Sequence, residues 1–367
     1  MVQTQSHSRN YGLDFLKFLA MVYVIIIHTY GCGGILASSQ GFNNRFFIAV
    51  MCFVTVAVNV FALATGYTSY TEVPKPFNYK KIFYLWFQVV FYGLVITLIC
   101  HQTIPDKVNS DNYVSACLPV FHNEYWYFTA YFLVTLISPL ILTAVRHLTR
   151  ETVKKLVLVT FVAFSFVIPL SFEGYSIVNP FTFAWIFVLY FWGAALKKHN
   201  IGNRISSFTL FLIIILCAAI TFAWNTIISM VSTNPVEWNN SILDQYNSPT
   251  MTISAMCYVV LFSRIKIGEK GARLLKFISP CVFAAYLINS HPLIYNEVLF
   301  DRFIPLANMN ALLAAIIVIA FSLLFTVISC LIDRLRMLLI RLLRIDRFIE
   351  KVSILFEKNI HNFSEWF

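Results

Sequence analysis

Charge is scarce in this chain. Of its 367 residues only 12% are Asp, Glu, Lys or Arg, against 59% hydrophobic, and the mean hydropathy is +0.74. A soluble protein of this length needs far more polar surface to cover its core, so a water-soluble globular enzyme is excluded. Metal-ligand spacing is missing as well. The eight cysteines form no such pattern, and no metal is expected. Cys52, Cys217, Cys257, Cys281 and Cys330 lie inside apolar runs, where packing is the ordinary role of a thiol. Cys32, Cys100 and Cys117 fall near the outer side, where a pair among them could form, though none is counted on. Internal repeats, low-complexity stretches and paired Gly/Pro-broken helices are absent too.

Long apolar runs are what the chain has instead. They fall at 13–31, 46–69, 82–101, 125–145, 154–172, 180–196, 205–231, 248–265, 276–297 and 310–332. Each suits the roughly 17–25 residues that an α-helix needs to cross a bilayer. They lack the two-residue alternation of a barrel strand, and a helix satisfies its own backbone in lipid. The fold class is therefore all-α, a polytopic membrane protein of about ten transmembrane helices.

The positive charges orient it. With the N-terminus cytoplasmic, the loops and tail that fall inside collect nearly every Lys and Arg, from Arg9 through Lys75, Lys80 and Lys81 to Lys358. Only Arg45, Lys107 and Arg302 fall outside, and Lys17 lies within a helix. Both termini are then cytoplasmic. The outer loops 102–124 and 232–247 carry Asp106, Asp111, Glu237 and Asp244. The net charge of +10 needs no nucleic acid, because it faces anionic lipid headgroups and anionic metabolites on the inner side. Residues 1–333 read as one transmembrane domain and 334–367 as a basic amphipathic tail. Over 334–351, Arg334, Arg341, Arg344, Arg347 and Lys351 share about one face, as expected of a helix lying on the inner leaflet. The N-terminus imitates a signal peptide, but Asp14 and Lys17 interrupt its apolar stretch, and cleavage is not expected.

Ionisable groups inside transmembrane helices are costly and commonly functional. The first helix carries Asp14, Lys17 and His28. Lys17 and His28 are about three turns apart on one face, roughly 16 Å along the axis. Structural roles compete with functional ones. Lys17 can snorkel to the interface while pairing with Asp14, and His28 can be a hydrogen-bonded core histidine meeting Asn59 or Gln88. Glu124-Tyr125-Trp126-Tyr127 opens the fourth helix at the outer face, where an aromatic belt accounts for the rings but not for Glu124. In the ninth helix, Asn289-Ser290-His291-Pro292 lies at about the depth of His28, in line with either a proline-adjusted helix or a shared cavity.

The order of these features resembles the acyltransferase-3 family of bacterial membrane acyltransferases. RNYGLDFLKFLAMVYVIIIH, Arg9 to His28, is similar to that family's opening of Arg, Leu-Asp, a cation and then His. FALATGY ends the second helix like the family's Phe-rich run into Ser-Gly-aromatic, with Thr65 before Gly66. YWYFTAYFLVTLISPLI, YFWGAAL, YLINSHPLI and the Ile332-Asp333-Arg334 exit follow in the family's order. Two departures stand out. Lys81 and Tyr84 occupy positions usually held by two arginines, and Asn289 stands where the family commonly shows His, with His291 two residues on.

The resemblance implies transfer of an acyl group, usually acetyl, from cytoplasmic acyl-CoA (acetyl-CoA or another) to a hydroxyl of an extracytoplasmic or lipid-linked glycan, in a bacterial inner membrane. On that reading Lys80, Lys81, Thr65 and Gly66 receive the donor, and Lys17 holds it or offsets developing charge with Asp14 orienting it. His28 acts as general base or takes the acyl group itself. Glu124, Trp126, Asn289 and His291 are the acceptor-side candidates. The expected partners are membrane lipid and a glycan acceptor. An exporter or flippase of a polysaccharide intermediate is the alternative function.

Overall fold

Asn10, Asn78, Ser248 and Asn310 each place a side-chain oxygen on the backbone N–H three residues ahead, at 3.0–3.2 Å, and each starts a helix there. The computed structural model describes residues 9–74, 77–168, 180–231 and 243–364. Among these the regular structure is helical, without strands. Helix α1 is Tyr11–Tyr30, α2 Gly41–Ser69, with a turn at Thr55 and Val56, and α3 Tyr79–Thr103. They are followed by α4 Ser110–Cys117, α5 Trp126–His147, α6 Arg150–Val162, α7 Phe183–Lys198 and α8 Ser207–Val231. The chain finishes with α9 Pro249–Ser263, α10 Glu269–Ile278, α11 Phe283–Asn289, α12 Ala311–Leu342 and α13 Ile345–Ser364.

Among the described residues six helices are long and apolar enough to cross a bilayer: α1, α2, α3, α5, α8 and α12. A seventh is added if α10 and α11, bent by 40° at their junction, form one span. The predicted runs 154–172, 180–196 and 248–265 fall on the shorter α6, α7 and α9, with 169–172 outside the described residues. The chain is thus a polytopic helical membrane protein. Phe208, Phe211, Leu216 on α8 and Leu312, Leu324, Leu335 on α12 point outward, as a surface meant for lipid does.

The ninth predicted helix, 276–297, is not continuous. Pro280 and Pro292 lack the N–H that would carry the helix through, and the chain proceeds as α10, a 3-10 turn, α11 and a π-helical turn at Ile294–Leu299. Freed backbone groups find side chains instead: Tyr125 Oη donates to Leu287 O at 3.2 Å, and Leu293 N donates to His291 Nδ1 at 3.3 Å. The tail also departs from expectation. Helix α12 runs past residue 333 to Leu342, Arg344 turns the chain with φ +56°, and α13 begins anew. The helix predicted over 334–351 is therefore two helices. Lys75 and Glu237 lie outside the described residues.

A close crossing in the core joins α2 to α7. A Cβ on Gly66 would stand 2.0 Å from Tyr190 O, and one on Gly193 would stand 2.0 Å from Leu63 O. Each glycine lets the other helix's backbone approach, the small-residue packing expected between membrane helices. Gly66→Val should cost about 1–3 kcal/mol by overpacking and lower the Tm of the detergent-solubilised protein. Gly268→Ala, where an added Cβ meets nothing within 4 Å, should leave it unmoved.

Candidate active site

Helix α1 is the axis of the site. Lys17 lines a cavity of about 600 Å³ that opens among α1, α2, α3, α5 and α12. His28, three turns on, lines a narrower chamber of about 60 Å³. Met21, Phe61, Tyr127 and Phe283 belong to the walls of both, so the two spaces abut. The face read from the spacing of Lys17 and His28 thereby meets two adjoining cavities.

Cations collect in the wide cavity. Lys81 lines it, together with Tyr84, Arg336 and Arg341. Lys80 does not. Its Nζ pairs with Glu350 of α13 at 2.7 Å, because neighbouring residues on a helix point about 100° apart. Lys80 thus faces the tail helix and lies outside the walls of this cavity. Thr65 lines the cavity, with its Oγ1 donating to Phe61 O at 2.7 Å. Gly66 does not line it, and the backbone of α7 explains why a glycine stands there. Lys17 Nζ lies 3.4 Å from Thr68 Oγ1. Asp14 pairs with Arg9 at 2.5 Å rather than with Lys17, so the expected orienting pair is not formed.

Arg336 reaches the cavity through a buried hub. Asp333, fully buried, accepts at Oδ1 from Arg336 Nε (2.6 Å), Tyr92 Oη (3.0 Å) and Gln88 Nε2 (3.1 Å). Its Oδ2 accepts from Arg336 Nη2 at 3.2 Å. A paired and hydrogen-bonded charge is the only kind an apolar interior tolerates.

At the other end, His28 Nδ1 is hydrogen-bonded to Asn289 Oδ1. An amide oxygen only accepts, so Nδ1 carries the proton, and in the neutral imidazole Nε2 is the nitrogen with the free lone pair. Tyr295 packs edge-on against the imidazole with ring centroids 5.0 Å apart. The chamber wall adds Trp126, Tyr127, Tyr246 and Tyr286. Neither proposed core partner meets His28: Asn59 donates to Tyr246 O at 2.6 Å and accepts from Trp185 Nε1 at 3.0 Å, and Gln88 serves Asp333.

Asn289 and Trp126 are thus brought to His28, and His291 is not. His291 Nε2 faces Gly93 O at 3.3 Å and Thr97 Oγ1 at 3.4 Å on α3, outside the walls of the His28 chamber. Two positions along an irregular segment turn it away from Asn289, and its Nδ1 accepts from Leu293 N at the break between α11 and the π turn. Glu124 is half-buried ahead of α5 and also lies outside that wall. Among the described residues no three His, Cys, Asp or Glu side chains are grouped to hold a metal ion.

The profile of the acyltransferase-3 family, an acyltransferase domain, matches residues 10–332. The chain belongs to the acyltransferase-3 family. No curated protein and no solved structure matches it. This acyltransferase therefore has Lys17 and His28 of α1 in two adjoining cavities, with cations around the first and the imidazole in the second. In the sequence Arg336 and Arg341 fall within the basic tail, and the spacing of three residues between Asp333 and Arg336 is the signal that points to their pairing. Asn289 as partner of His28 had no local signal, since 261 residues separate them.

Burial raises the Glu124 carboxyl from 4.5 to about 7. The folded state then holds this proton more tightly than the unfolded chain does, so stability should fall as pH rises from about 4.5 to 7 and level off above. Glu124→Gln should flatten that slope in thermal melts across the window.

Proposed function

We propose that this acyltransferase moves an acyl group, in the simplest case acetyl, from acyl-CoA to a hydroxyl of an extracytoplasmic or lipid-linked glycan across the inner membrane of a bacterium. The observation that carries the reading is the pair of abutting cavities, cationic at Lys17 and ending at His28. Acyl-CoA is polyanionic at one end and neutral at the other. Lys17, Lys81, Arg336 and Arg341 suit its charged end, since charge-assisted contacts to phosphate are the stronger hydrogen bonds. The apolar seam of Met21, Phe61 and Phe283 suits the uncharged thioester arm. The rings of Trp126, Tyr127, Tyr246 and Tyr286 offer flat faces to a sugar at the His28 end.

On this reading His28 Nε2 takes the proton of the acceptor hydroxyl as its oxygen attacks the thioester carbonyl. Collapse of the tetrahedral intermediate breaks the C–S bond, and the imidazolium returns the proton to the leaving sulfur. The products are the O-acyl sugar and free coenzyme A. Asn289 holds the tautomer that leaves Nε2 unprotonated, acting as a positioning residue. Burial inside the passage keeps water from competing for the thioester.

His28→Ala should leave the protein in the membrane and abolish O-acyl groups on the surface glycan, read by NMR and by mass per repeat unit. Asn289→Leu should lower kcat on the order of 10–100-fold, as loss of a histidine's supporting hydrogen bond does at metal sites. Retained acylation in His28→Ala would overturn the assignment of His28. Glycan stranded inside the cell, instead of exported unmodified, would favour the exporter.

A further inference from the structure

The tail helix α13 lies beyond residue 332, where the match to the family ends, and it is seated at the rim of the wide cavity. Asp346, its second residue, forms part of that cavity's wall together with Lys81, Tyr84, Arg336 and Arg341. One turn on, Glu350 pairs with Lys80 of α3 at 2.7 Å. Phe356 then packs edge-on against Tyr79 and Phe83, with ring centroids 5.6 and 5.5 Å apart. The helix therefore starts from the end of α12, on one wall of the mouth, and comes to rest on the first turns of α3, on another.

Its charges are sorted by sign. Asp346, Glu350 and Glu357 are spaced i, i+4 and i+11, which puts them on one stripe of the helix. Arg347, Lys351 and Lys358 repeat that spacing one residue on, about 100° around the axis. A helix built only to lie on an anionic leaflet has no use for an acidic stripe. On α13 the acidic stripe is the one turned to the protein, through Asp346 at the cavity wall and Glu350 at Lys80. The seat is a light one. Lys80 and Glu350 are 44% and 49% exposed, and ion pairs in that setting hold weakly. Leu343 and Arg344 alone join α13 to α12, and the left-handed turn at Arg344 interrupts the helix between them.

We infer that α13 is an acidic strap at the mouth of the wide cavity, which restrains the entry of polyanions while it is seated and admits them when the Glu350–Lys80 contact is released. A carboxylate in the wall repels an incoming phosphate and lowers the local concentration of polyanion at the cations behind it. Release of the strap removes Asp346 and Glu350 from the mouth and leaves Lys80, Lys81 and Arg341 to attract the substrate. The strap touches no reacting atom, so it acts on affinity and not on the chemical step. That the polyanion is acyl-CoA rests on the proposed function. The strap itself rests on how α13 meets the cavity.

The test uses the full-length protein in lipid nanodiscs and has one readout that is independent of the donor. A cysteine placed at Leu85, in the wall of the wide cavity, reports entry through its rate of labelling by an anionic methanethiosulfonate reagent, measured over the background of the parent protein. Glu350→Gln should speed that labelling about fivefold, since it frees the strap and removes a negative charge. Phe356→Ala changes no charge and should speed it as well, because it loosens the same seat. The KM for acetyl-CoA should fall about fivefold in Glu350→Gln, with kcat unmoved. Labelling unmoved in both variants would overturn the strap. A raised KM would overturn it too, by making α13 part of the substrate's own site. Faster labelling in a protein that does not use acetyl-CoA would overturn the donor assignment and uphold the strap.

Discussion

A carboxylate without any exposed surface has to be met by donors, and Asp333 is met by three side chains from two helices. Breaking such a buried pair from one side typically costs about 3–5 kcal/mol, because the remaining charge is stranded in a medium that cannot solvate it. The constraint therefore ties α12 to α3 at the basic end of the protein. It also decides where Arg336 points. The guanidinium that neutralises Asp333 is the one that lines the wide cavity, so the electrostatics of that cavity follow from the packing of two helices.

The opposite end is organised by a lighter version of the same rule. His28 lies in the apolar middle of the fold and has one side-chain hydrogen bond, to Asn289. That bond comes from the end of α11, just where prolines at 280 and 292 keep the segment from being a plain helix. The irregular backbone is tolerated because Tyr125 and His291 satisfy its freed groups. One break thus supplies the partner of His28, and its neighbour His291 satisfies a backbone N–H that the break frees.

Much of the fold was legible in the sequence because apolar runs, cations at their ends and ionisable residues inside them all stand out against local composition. The spacing of Lys17 and His28 on α1 belongs to this class: both positions sit on one helix, whose periodicity fixes the shared face. Contacts between helices were less legible. Gly66 resembled a site for ligand approach, and only the backbone of α7 shows what the missing Cβ makes room for. Lys80 and Lys81 are equivalent on paper, and the position of α13 separates them. Arg336 and Arg341 look like tail charges by composition, which does not reveal that α12 continues past Asp333.

The central claim is that the donor enters at the Lys17 end, the acceptor at the His28 end, and the acyl group passes between them through the protein. Proteoliposomes with one known orientation test this directly. Acetyl-labelled acetyl-CoA is confined to the side of Lys81 and Arg341, and a membrane-impermeant glycan acceptor to the other. The account predicts label on the glycan across the membrane and free coenzyme A on the donor side. Labelling only when both substrates share one side would contradict it.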